Sequence, residues 1–171
     1  MSAGRTLAIL GLLLSALASP GRAQRTVVLV RHAEKADTTR DPPLAAAGER
    51  RAQALADALA HAGVTAIYTT HSRRTRETAA PLAQRLGIVP AVVDPGGDAL
   101  ANARAVVAAI QADPDTAVIL VVGHSNTIPL IIRELGGAAP RELGDDAYGD
   151  LFILTLRPSG SIETIRARYG D

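Results

Sequence analysis

Two histidines in this chain each follow an apolar run, and the two runs lie far apart in the sequence. The residues Thr26–Val30 lead directly into Arg31 and His32. The residues Ala117–Val122 lead, after one glycine, into His124. Apolar runs rich in valine and isoleucine predict strands that are buried on both faces, as in a parallel sheet. Catalytic groups in open α/β folds collect beyond the carboxyl ends of such strands, so we expect the two imidazoles to lie side by side.

A cluster of arginines lies between the two histidines. The segment Ser72–Thr78 follows a third apolar run and contains Arg73, Arg74 and Arg76. A neutral imidazole has a free lone pair on one ring nitrogen, and its other nitrogen can be held by a backbone carbonyl. Guanidinium groups match the geometry of a phosphate and stay charged at any working pH. Two imidazoles and clustered guanidinium groups therefore predict a site that binds and transfers a phosphoryl group.

The elements that must position these residues begin after residue 23, because the segment 1–23 has the pattern of a secretory signal peptide. Arg5 supplies a basic start, Leu7–Leu17 is an apolar stretch, and small residues precede a cleavage point at Ala23 or Ala18. The apolar stretch is shorter than the roughly 20 residues that a membrane span needs. We therefore expect cleavage, with an uncleaved anchor as the alternative.

The residues 24–171 are predicted to form a single domain that is periplasmic or secreted by a bacterium and is not stably inserted in a membrane. Their formal charge is −1, because cleavage removes Arg5 and Arg22 from a chain of net charge +1. A near-neutral charge and an aromatic content of 2% argue against nucleic-acid binding. The chain has no cysteine, so the core must stabilise the fold without disulfides. No pattern indicates an oligomeric state.

Apolar runs alternate with helical patterns along this domain, which predicts a three-layer α/β/α sandwich. The predicted helices are Ala45–His61, Arg74–Leu86, Ala99–Gln111 and Thr127–Leu135. The predicted strands besides the two that precede the histidines are Ala66–Thr69 and a short one within Val89–Val93. The segments Asp150–Arg157 and Ser161–Arg166 predict a closing hairpin, so we expect a mixed and mostly parallel sheet.

Four landmarks resemble, in order, the histidine phosphatase superfamily with its phosphoglycerate mutase-like fold. They are Val30–Glu34 (the R-H-G signature, with Ala33 in the glycine place), Leu44–Ala52, Tyr68–Thr75 and Val122–Ser125. The resemblance extends from Val27 to about Arg166 and is greatest to small exported phosphatases of branch 1. It implies that His32 is the nucleophile and becomes phosphohistidine during turnover. It further implies that Arg31, Arg74 and His124 surround the phosphoryl oxygens, and phosphate would then favour a cationic His124.

The proton donor is the weakest part of the resemblance, because no segment matches the acidic one of phosphoglycerate mutases. A leaving alkoxide needs a proton, and Asp94 and Asp98 are the candidates by position. We expect Asp98 to cap the helix that follows it. Asp94 is either the acid or part of an Asp-Pro-Gly-Gly turn. If neither donates, the preferred substrates have good leaving groups, as phosphohistidine and acyl phosphates do.

Other polar residues near these landmarks are expected to be peripheral. Arg73 and Arg76 are predicted to face solvent or to support the site, and His71 to lie on its rim. Glu34 is expected to orient Arg31 or the loop that follows it. Ala45 stands where the superfamily has threonine or serine, so the first helix should lack a side-chain N-cap.

A competing interpretation concerns the segment Val121–Thr127, which resembles the nucleophile elbow of α/β-hydrolases with Ser125 as nucleophile. Thr127 occupies the position where close approach of strand and helix demands glycine. No histidine follows Ser125 in the chain, although the triad of that fold requires one. These two observations exclude an α/β-hydrolase.

We therefore expect a metal-independent phosphatase that acts on a small-molecule or surface-displayed phosphomonoester, for example an envelope sugar phosphate. A phosphohistidine or acyl-phosphate phosphatase and a non-catalytic phosphate-ligand binding protein are the alternatives. No cofactor is expected, and no metal, since His32 and His124 have no carboxylate or cysteine partner at ligand spacing. Specificity is expected to come from Lys35–Pro43, Pro95–Ala99 and Pro140–Gly149.

Overall fold

The computed structural model describes residues 23–112 and 117–170, so the predicted signal peptide lies outside the described residues except at its last position. Within these residues the chain forms four helices and six strands. They are β1 (Arg25–Arg31), α1 (Ala46–Leu59), β2 (Ala66–Thr69), α2 (Arg73–Leu86), β3 (Ala91–Val92), α3 (Ala99–Ala112), β4 (Val118–Gly123), α4 (Ile128–Glu134), β5 (Asp150–Leu156) and β6 (Ile162–Arg168). The predicted phosphoglycerate mutase-like α/β architecture is confirmed.

All six strands belong to one mixed sheet with the order β3-β2-β4-β1-β5-β6. The strands β1, β2, β3 and β4 run parallel, whereas β5 pairs antiparallel with β1 and β6 with β5. The carboxyl ends of β1 and β4 therefore meet at one edge. In their register Arg31 lies opposite Gly123, and the amide of His32 donates to the carbonyl of Gly123 at 2.9 Å. This pairing places the two histidines next to each other.

The core has two layers because the central strands are covered on both faces. In β1, Val27 and Leu29 pack in the layer that includes buried residues of α3 and α4, whereas Val28 and Val30 pack in the layer that includes those of α1 and α2. These four side chains are 3% exposed or less. Burial of an aliphatic side chain of this size stabilises the fold by about 1.5–3 kcal/mol. The prediction of strands buried on both faces is confirmed.

The helices begin and end within one or two residues of their predicted bounds. The first begins after Ala45, which makes no side-chain capping hydrogen bond, as predicted. The second ends at Gly87, whose φ of 67° is the left-handed conformation that favours glycine. Within residues 23–112 and 117–170, no helix combines the length and apolar character needed to cross a membrane.

Candidate active site

A cavity of about 650 Å³ opens at the carboxyl ends of β1, β2 and β4. All five residues that the sequence predicted for the site line it, namely Arg31, His32, Arg74, Asp94 and His124. Two further cations, Lys35 and Arg40, line the same cavity and come from the loop after β1. The cations outnumber the carboxylates among the lining residues, so the cavity suits an anion.

His32 is held so that one ring nitrogen is available for bonding. Its side chain is 5% exposed, and its Nδ1 lies 2.7 Å from the carbonyl oxygen of Ala33. A carbonyl can only accept a hydrogen bond, so Nδ1 carries the proton and Nε2 keeps its lone pair. The pKa of His32 is lowered to about 3, mainly by burial and also by His124, Arg74 and Arg31, while the hydrogen bond to the Ala33 carbonyl opposes the shift. His32 is therefore a neutral imidazole at physiological pH.

His124 lies beside His32, with 5.4 Å between the ring centres and an angle of 65° between the ring planes. Its Nε2 is 3.1 Å from Oγ1 of Thr70, and its Nδ1 is 3.4 Å from a guanidinium nitrogen of Arg74. The pKa of His124 is lowered to about 4, mainly by burial and also by Arg74 and Arg31, while Asp94 opposes the shift. Both imidazoles of the site are therefore neutral with these neighbours alone.

Arg31 is oriented by a segment far along the chain. Its Nη1 donates to the carbonyl oxygens of Gly144 and Asp145, both at 2.9 Å, and its guanidinium carbon lies 4.1 Å from the ring centre of Tyr148. Its Nε is buried without a hydrogen-bond partner among the described residues. The segment from Gly144 to Tyr148 thus fixes the cation, although we expected residues 140–149 to set specificity. Tyr148 is a site-supporting residue that the sequence analysis missed.

Glu34 does not orient Arg31, which corrects one of the two roles expected for it. Its carboxylate accepts from the guanidinium of Arg51 in α1, with a shortest distance of 2.8 Å. Arg51 also donates to the carbonyl oxygens of Tyr169 and Gly170 near the end of the described chain. Glu34 therefore anchors the loop after β1, which is the other role expected for it. Two oppositely charged residues 17 positions apart give no recognisable pattern in a sequence.

The loop after β1 also packs against α1 through Gly48. A Cβ atom on Gly48 would lie 2.3 Å from the carbonyl oxygen of Glu34, a separation at which the backbone has to move. The amide of Ala45 donates to the same carbonyl at 2.8 Å. The glycine of the second sequence landmark thus permits a close approach between α1 and the loop that carries His32.

Arg74 and Arg73 begin α2 but have different surroundings. Arg74 lines the cavity, contacts His124 and lies 4.0 Å from the carboxylate of Asp41. Arg73 is exposed and pairs with Glu77 one turn later. The prediction that Arg74 rather than Arg73 faces the site agrees with this geometry.

Asp94 and Asp98 have different roles in the structure, and Asp98 has the helix-capping role expected from the sequence. Asp98 accepts from the amide of Ala101 at 2.8 Å and caps α3. Asp94 accepts from the amides of His71 and Gly96, at 3.2 and 3.4 Å, so it stabilises a turn while also lining the cavity. Both interpretations of Asp94 remain compatible with its place. His71 itself is exposed at the rim.

Two of the three segments predicted to set specificity line the cavity. The loop Lys35–Pro43 contributes Lys35, Thr39 and Arg40, and the turn Pro95–Ala99 contributes two glycines and Asp98. Among residues 23–112 and 117–170, no group of three or more histidine and carboxylate side chains is arranged to hold a metal ion.

A family model described as histidine phosphatase superfamily (branch 1) matches residues 27–97. Over these residues the chain is similar to the histidine phosphatase superfamily. The matched segment contains three of the four sequence landmarks and includes His32 and Arg74, whereas His124 lies beyond it. A comparison with curated proteins gave no significant match.

Several solved structures resemble this chain in fold. The mycobacterial glucosyl-3-phosphoglycerate phosphatase Rv2419c is 16% identical to this chain, with a TM-score of 0.63. The match covers 86% of this chain and 99% of the Rv2419c chain. The protein histidine phosphatase SixA complexed with tungstate is 19% identical to this chain, with a TM-score of 0.64. The match covers 84% of this chain and 96% of that SixA chain. A SixA protein from Nakamurella multipartitia is 25% identical to this chain, with a TM-score of 0.60. The match covers 87% of this chain and 98% of the Nakamurella chain.

Proposed function

We propose that this protein is a phosphatase that hydrolyses a phosphomonoester through a phosphohistidine intermediate on Nε2 of His32. The observation that carries the proposal is the hydrogen bond from Nδ1 of His32 to the Ala33 carbonyl. It leaves the lone pair of Nε2 free on a neutral ring that lines a cationic cavity. A nucleophile needs such a lone pair, whereas a residue that only binds phosphate is better served by a cationic imidazole.

In the first step the Nε2 lone pair of His32 forms a bond to phosphorus, and the bond from phosphorus to the leaving oxygen breaks. The leaving oxygen takes the electron pair of that bond and must be protonated. Arg31 and Arg74 counter the charge on the non-bridging oxygens, which is the main contribution a protein makes to phosphoryl transfer. The guanidinium of Arg31 suits this role because it lines the cavity and stays charged at any working pH.

In the second step a water oxygen attacks phosphorus, and the phosphorus–nitrogen bond breaks. Its electron pair returns to Nε2, so inorganic phosphate and the neutral imidazole are regenerated. Asp94 is the proposed acid of the first step and base of the second, because its carboxylate lines the same cavity as His32. Asp98 is not assigned this role, since its carboxylate caps α3.

The proposed substrate is a small or surface-displayed phosphomonoester with a hydroxyl-rich leaving group, such as an envelope sugar phosphate. Among the described residues, no large apolar or aromatic side chain lines the cavity, whereas Thr39, Asn102, Ser125 and Asn126 do. Hydroxyl and amide groups of this kind bind sugar hydroxyls better than aryl or acyl groups. The fold likeness to a glucosyl-3-phosphoglycerate phosphatase supports the same class.

A phosphohistidine or acyl-phosphate phosphatase is the second candidate. The two amide hydrogen bonds that Asp94 accepts favour it, because they commit both carboxylate oxygens to the turn. The fold likeness to the protein histidine phosphatase SixA supports it as well. A non-catalytic phosphate-binding protein is the third, and turnover distinguishes it from the other two.

We further propose that the protein is exported, with residues 1–23 as its signal peptide. Support comes from the sequence pattern alone. N-terminal sequencing of the protein recovered from periplasm and medium would find Gln24 or Ser19 at the start of the chain. Recovery of uncleaved protein in the membrane fraction would indicate a retained anchor.

The experiment that tests the proposed function is hydrolysis of p-nitrophenyl phosphate by residues 24–171, with and without EDTA, beside the His32→Ala variant. We expect EDTA-insensitive release of p-nitrophenol and an acid-labile phosphoenzyme on rapid quenching. His32→Ala should lose both while its circular dichroism spectrum is unchanged. Turnover in His32→Ala would exclude the mechanism, and binding of phosphate without turnover in the parent protein would favour the binding protein.

A further inference from the structure

The hydroxyl of Thr70 lies at the centre of a chain of hydrogen bonds that ends on His124. The hydroxyl of Thr75 lies 2.8 Å from the carbonyl oxygen of Ser72 and 3.2 Å from that of Thr70, and either carbonyl can only accept its proton. We assign the Thr75 proton to the Ser72 carbonyl, its shortest contact, which makes the Thr70 hydroxyl the donor to Oγ1 of Thr75 at 3.0 Å. Its oxygen is left as an acceptor for Nε2 of His124 at 3.1 Å.

The opposite side of the ring leads to the same assignment. The Nδ1 atom of His124 lies 3.4 Å from a guanidinium nitrogen of Arg74, and a guanidinium has donors but no acceptor. A proton on Nδ1 would therefore point at a cationic donor. Two independent contacts thus favour a proton on Nε2 and a lone pair on Nδ1.

We infer that the Thr70 hydroxyl is a positioning group that holds His124 in its Nε2–H tautomer, so that Nδ1 faces the phosphoryl group and takes up a proton when that group binds. This inference rests on the proposed function, because it assigns an atom and a proton within the same site. With the proton on Nδ1, His124 becomes a charge-assisted donor to a non-bridging oxygen.

The charged groups around His124 explain why proton uptake is coupled to the phosphoryl group. Arg31 and Arg74 oppose a positive charge on the ring, Asp94 favours it, and the neighbouring His32 ring is neutral. The balance lies on the side of the neutral ring until a dianion is added. A phosphate dianion beside Nδ1 adds two negative charges at close range, which favours the imidazolium.

The adjacent residue supplies a matched control. Thr69 and Thr70 are 2% and 5% exposed and are consecutive in the chain. The Thr69 hydroxyl is buried without a hydrogen-bond partner among the described residues, whereas the Thr70 hydroxyl has several. A threonine-to-valine substitution removes the same atom at either position, so the two variants differ in the hydrogen bonds that are lost.

The test is nitrogen-15 NMR of the histidine side chains in the parent protein and in Thr70→Val, Thr70→Ser and Thr69→Val, with and without inorganic phosphate. The parent protein, Thr70→Ser and Thr69→Val should show His124 protonated at Nε2, with Nδ1 gaining a proton when phosphate is added. Thr70→Val should show a mixture of tautomers and a kcat/KM about tenfold lower, with the acid limb of its pH profile shifted. Thr70→Ala replaces Thr70→Val if the latter does not fold.

An Nδ1–H tautomer in the parent protein would overturn the inference, and so would a Thr70→Val variant with an unchanged tautomer and phosphate response. Failure of Thr70→Ser to restore the tautomer would overturn it too. The tautomer is read in the resting protein and needs no turnover. Absence of phosphatase activity would therefore count against the proposed function, and an unchanged tautomer against the role of Thr70.

Discussion

The imidazoles of His32 and His124 lie edge to face with 5.4 Å between their centres, although three helices separate them in the chain. Their adjacency follows from the parallel pairing of β1 with β4, which puts Arg31 opposite Gly123. His32 is buried and His124 half-buried among cations, and both rings are neutral. A site with two neutral imidazoles and two guanidinium groups has one nitrogen free for bonding to phosphorus and fixed positive charge around it.

Substitution of Arg74 should be far more damaging than substitution of its neighbour. Arg74→Ala removes a guanidinium that lines the cavity, and loss of one such group reduces kcat/KM by on the order of 10²–10³-fold. Arg73→Ala removes an exposed cation paired with Glu77 and should stay within about threefold. Steady-state kinetics with p-nitrophenyl phosphate and inhibition by inorganic phosphate measure both. Similar losses in the two variants would contradict the assignment of Arg74.

Asp94→Asn should affect substrates according to their leaving groups. The phenolate of p-nitrophenyl phosphate needs little protonation, whereas a sugar alkoxide needs a full proton transfer. We expect kcat for a sugar phosphate to fall by about 10²-fold or more, and for p-nitrophenyl phosphate by less than about tenfold. Asp98→Asn, which preserves a helix-capping side chain, should change both substrates by the same factor. Equal losses for both substrates in Asp94→Asn would remove it as the acid.

The imidazoles of His32 and His124 should make the fold sensitive to acid below pH 6.5. Unfolded histidines bind protons near 6.5, whereas burial lowers the pKa of His32 to about 3 and that of His124 to about 4. Their contribution to stability is complete above pH 6.5 and is lost as the pH falls from there toward 4 and 3, because the unfolded chain then binds more protons. Each contributes a slope of at most about 1.4 kcal/mol per pH unit.

Urea unfolding from pH 7 to pH 4.5 measures this slope. A His32→Asn, His124→Asn double variant should flatten it, whereas His61→Asn, at an exposed position, should leave it unchanged. A slope that is the same in the double variant and the parent protein would mean that these rings are protonated in the folded state.

Gly48→Ala should destabilise the protein, contrary to the usual effect of alanine in a helix. An exposed glycine-to-alanine change within a helix typically stabilises by about 1 kcal/mol. At Gly48 the new Cβ would lie 2.3 Å from the carbonyl oxygen of Glu34, so we expect a loss of about 1–3 kcal/mol and a lower kcat as the loop of His32 moves. Gly144→Ala is the control, because a Cβ there meets nothing within 4 Å. The measurements are urea unfolding and kcat. Equal free energies of unfolding and equal kcat values in Gly48→Ala and Gly144→Ala would mean that the contact with Glu34 is relieved at no cost.

The sequence predicted the strands and the cavity residues because their signals are local. Long apolar runs identified β1 and β4, and glycine at position 87 marked the end of α2. The landmarks around His32, Arg74 and His124 are short and contiguous, so each could be recognised alone. Asp98 was assignable as a cap because a capping side chain and its helix are neighbours in the chain.

The parts that were missed depend on contacts between distant residues. Arg31 is oriented by two backbone carbonyl oxygens, and any residue type supplies a carbonyl. The ion pair between Glu34 and Arg51 joins a loop to a helix, and each residue alone is an ordinary surface charge. Tyr148 stacks under Arg31 from a segment without helix or strand pattern. Patterns along the chain carry little information on such contacts, because the contacts arise only from the folded topology.

The contacts of Arg31 have a consequence for the order in which the protein acquires its structure. A chain emerges from the ribosome amino terminus first, so β1 is made before the elements that follow it. Its neighbour β5 and the carbonyls of Gly144 and Asp145 are made only after β4 and α4. A fragment that stops after Ser125 would contain all four recognisable landmarks yet have neither the partner strand nor the clamp on the guanidinium. The residues that carry the recognisable landmarks are thus made before the residues that complete the cationic site.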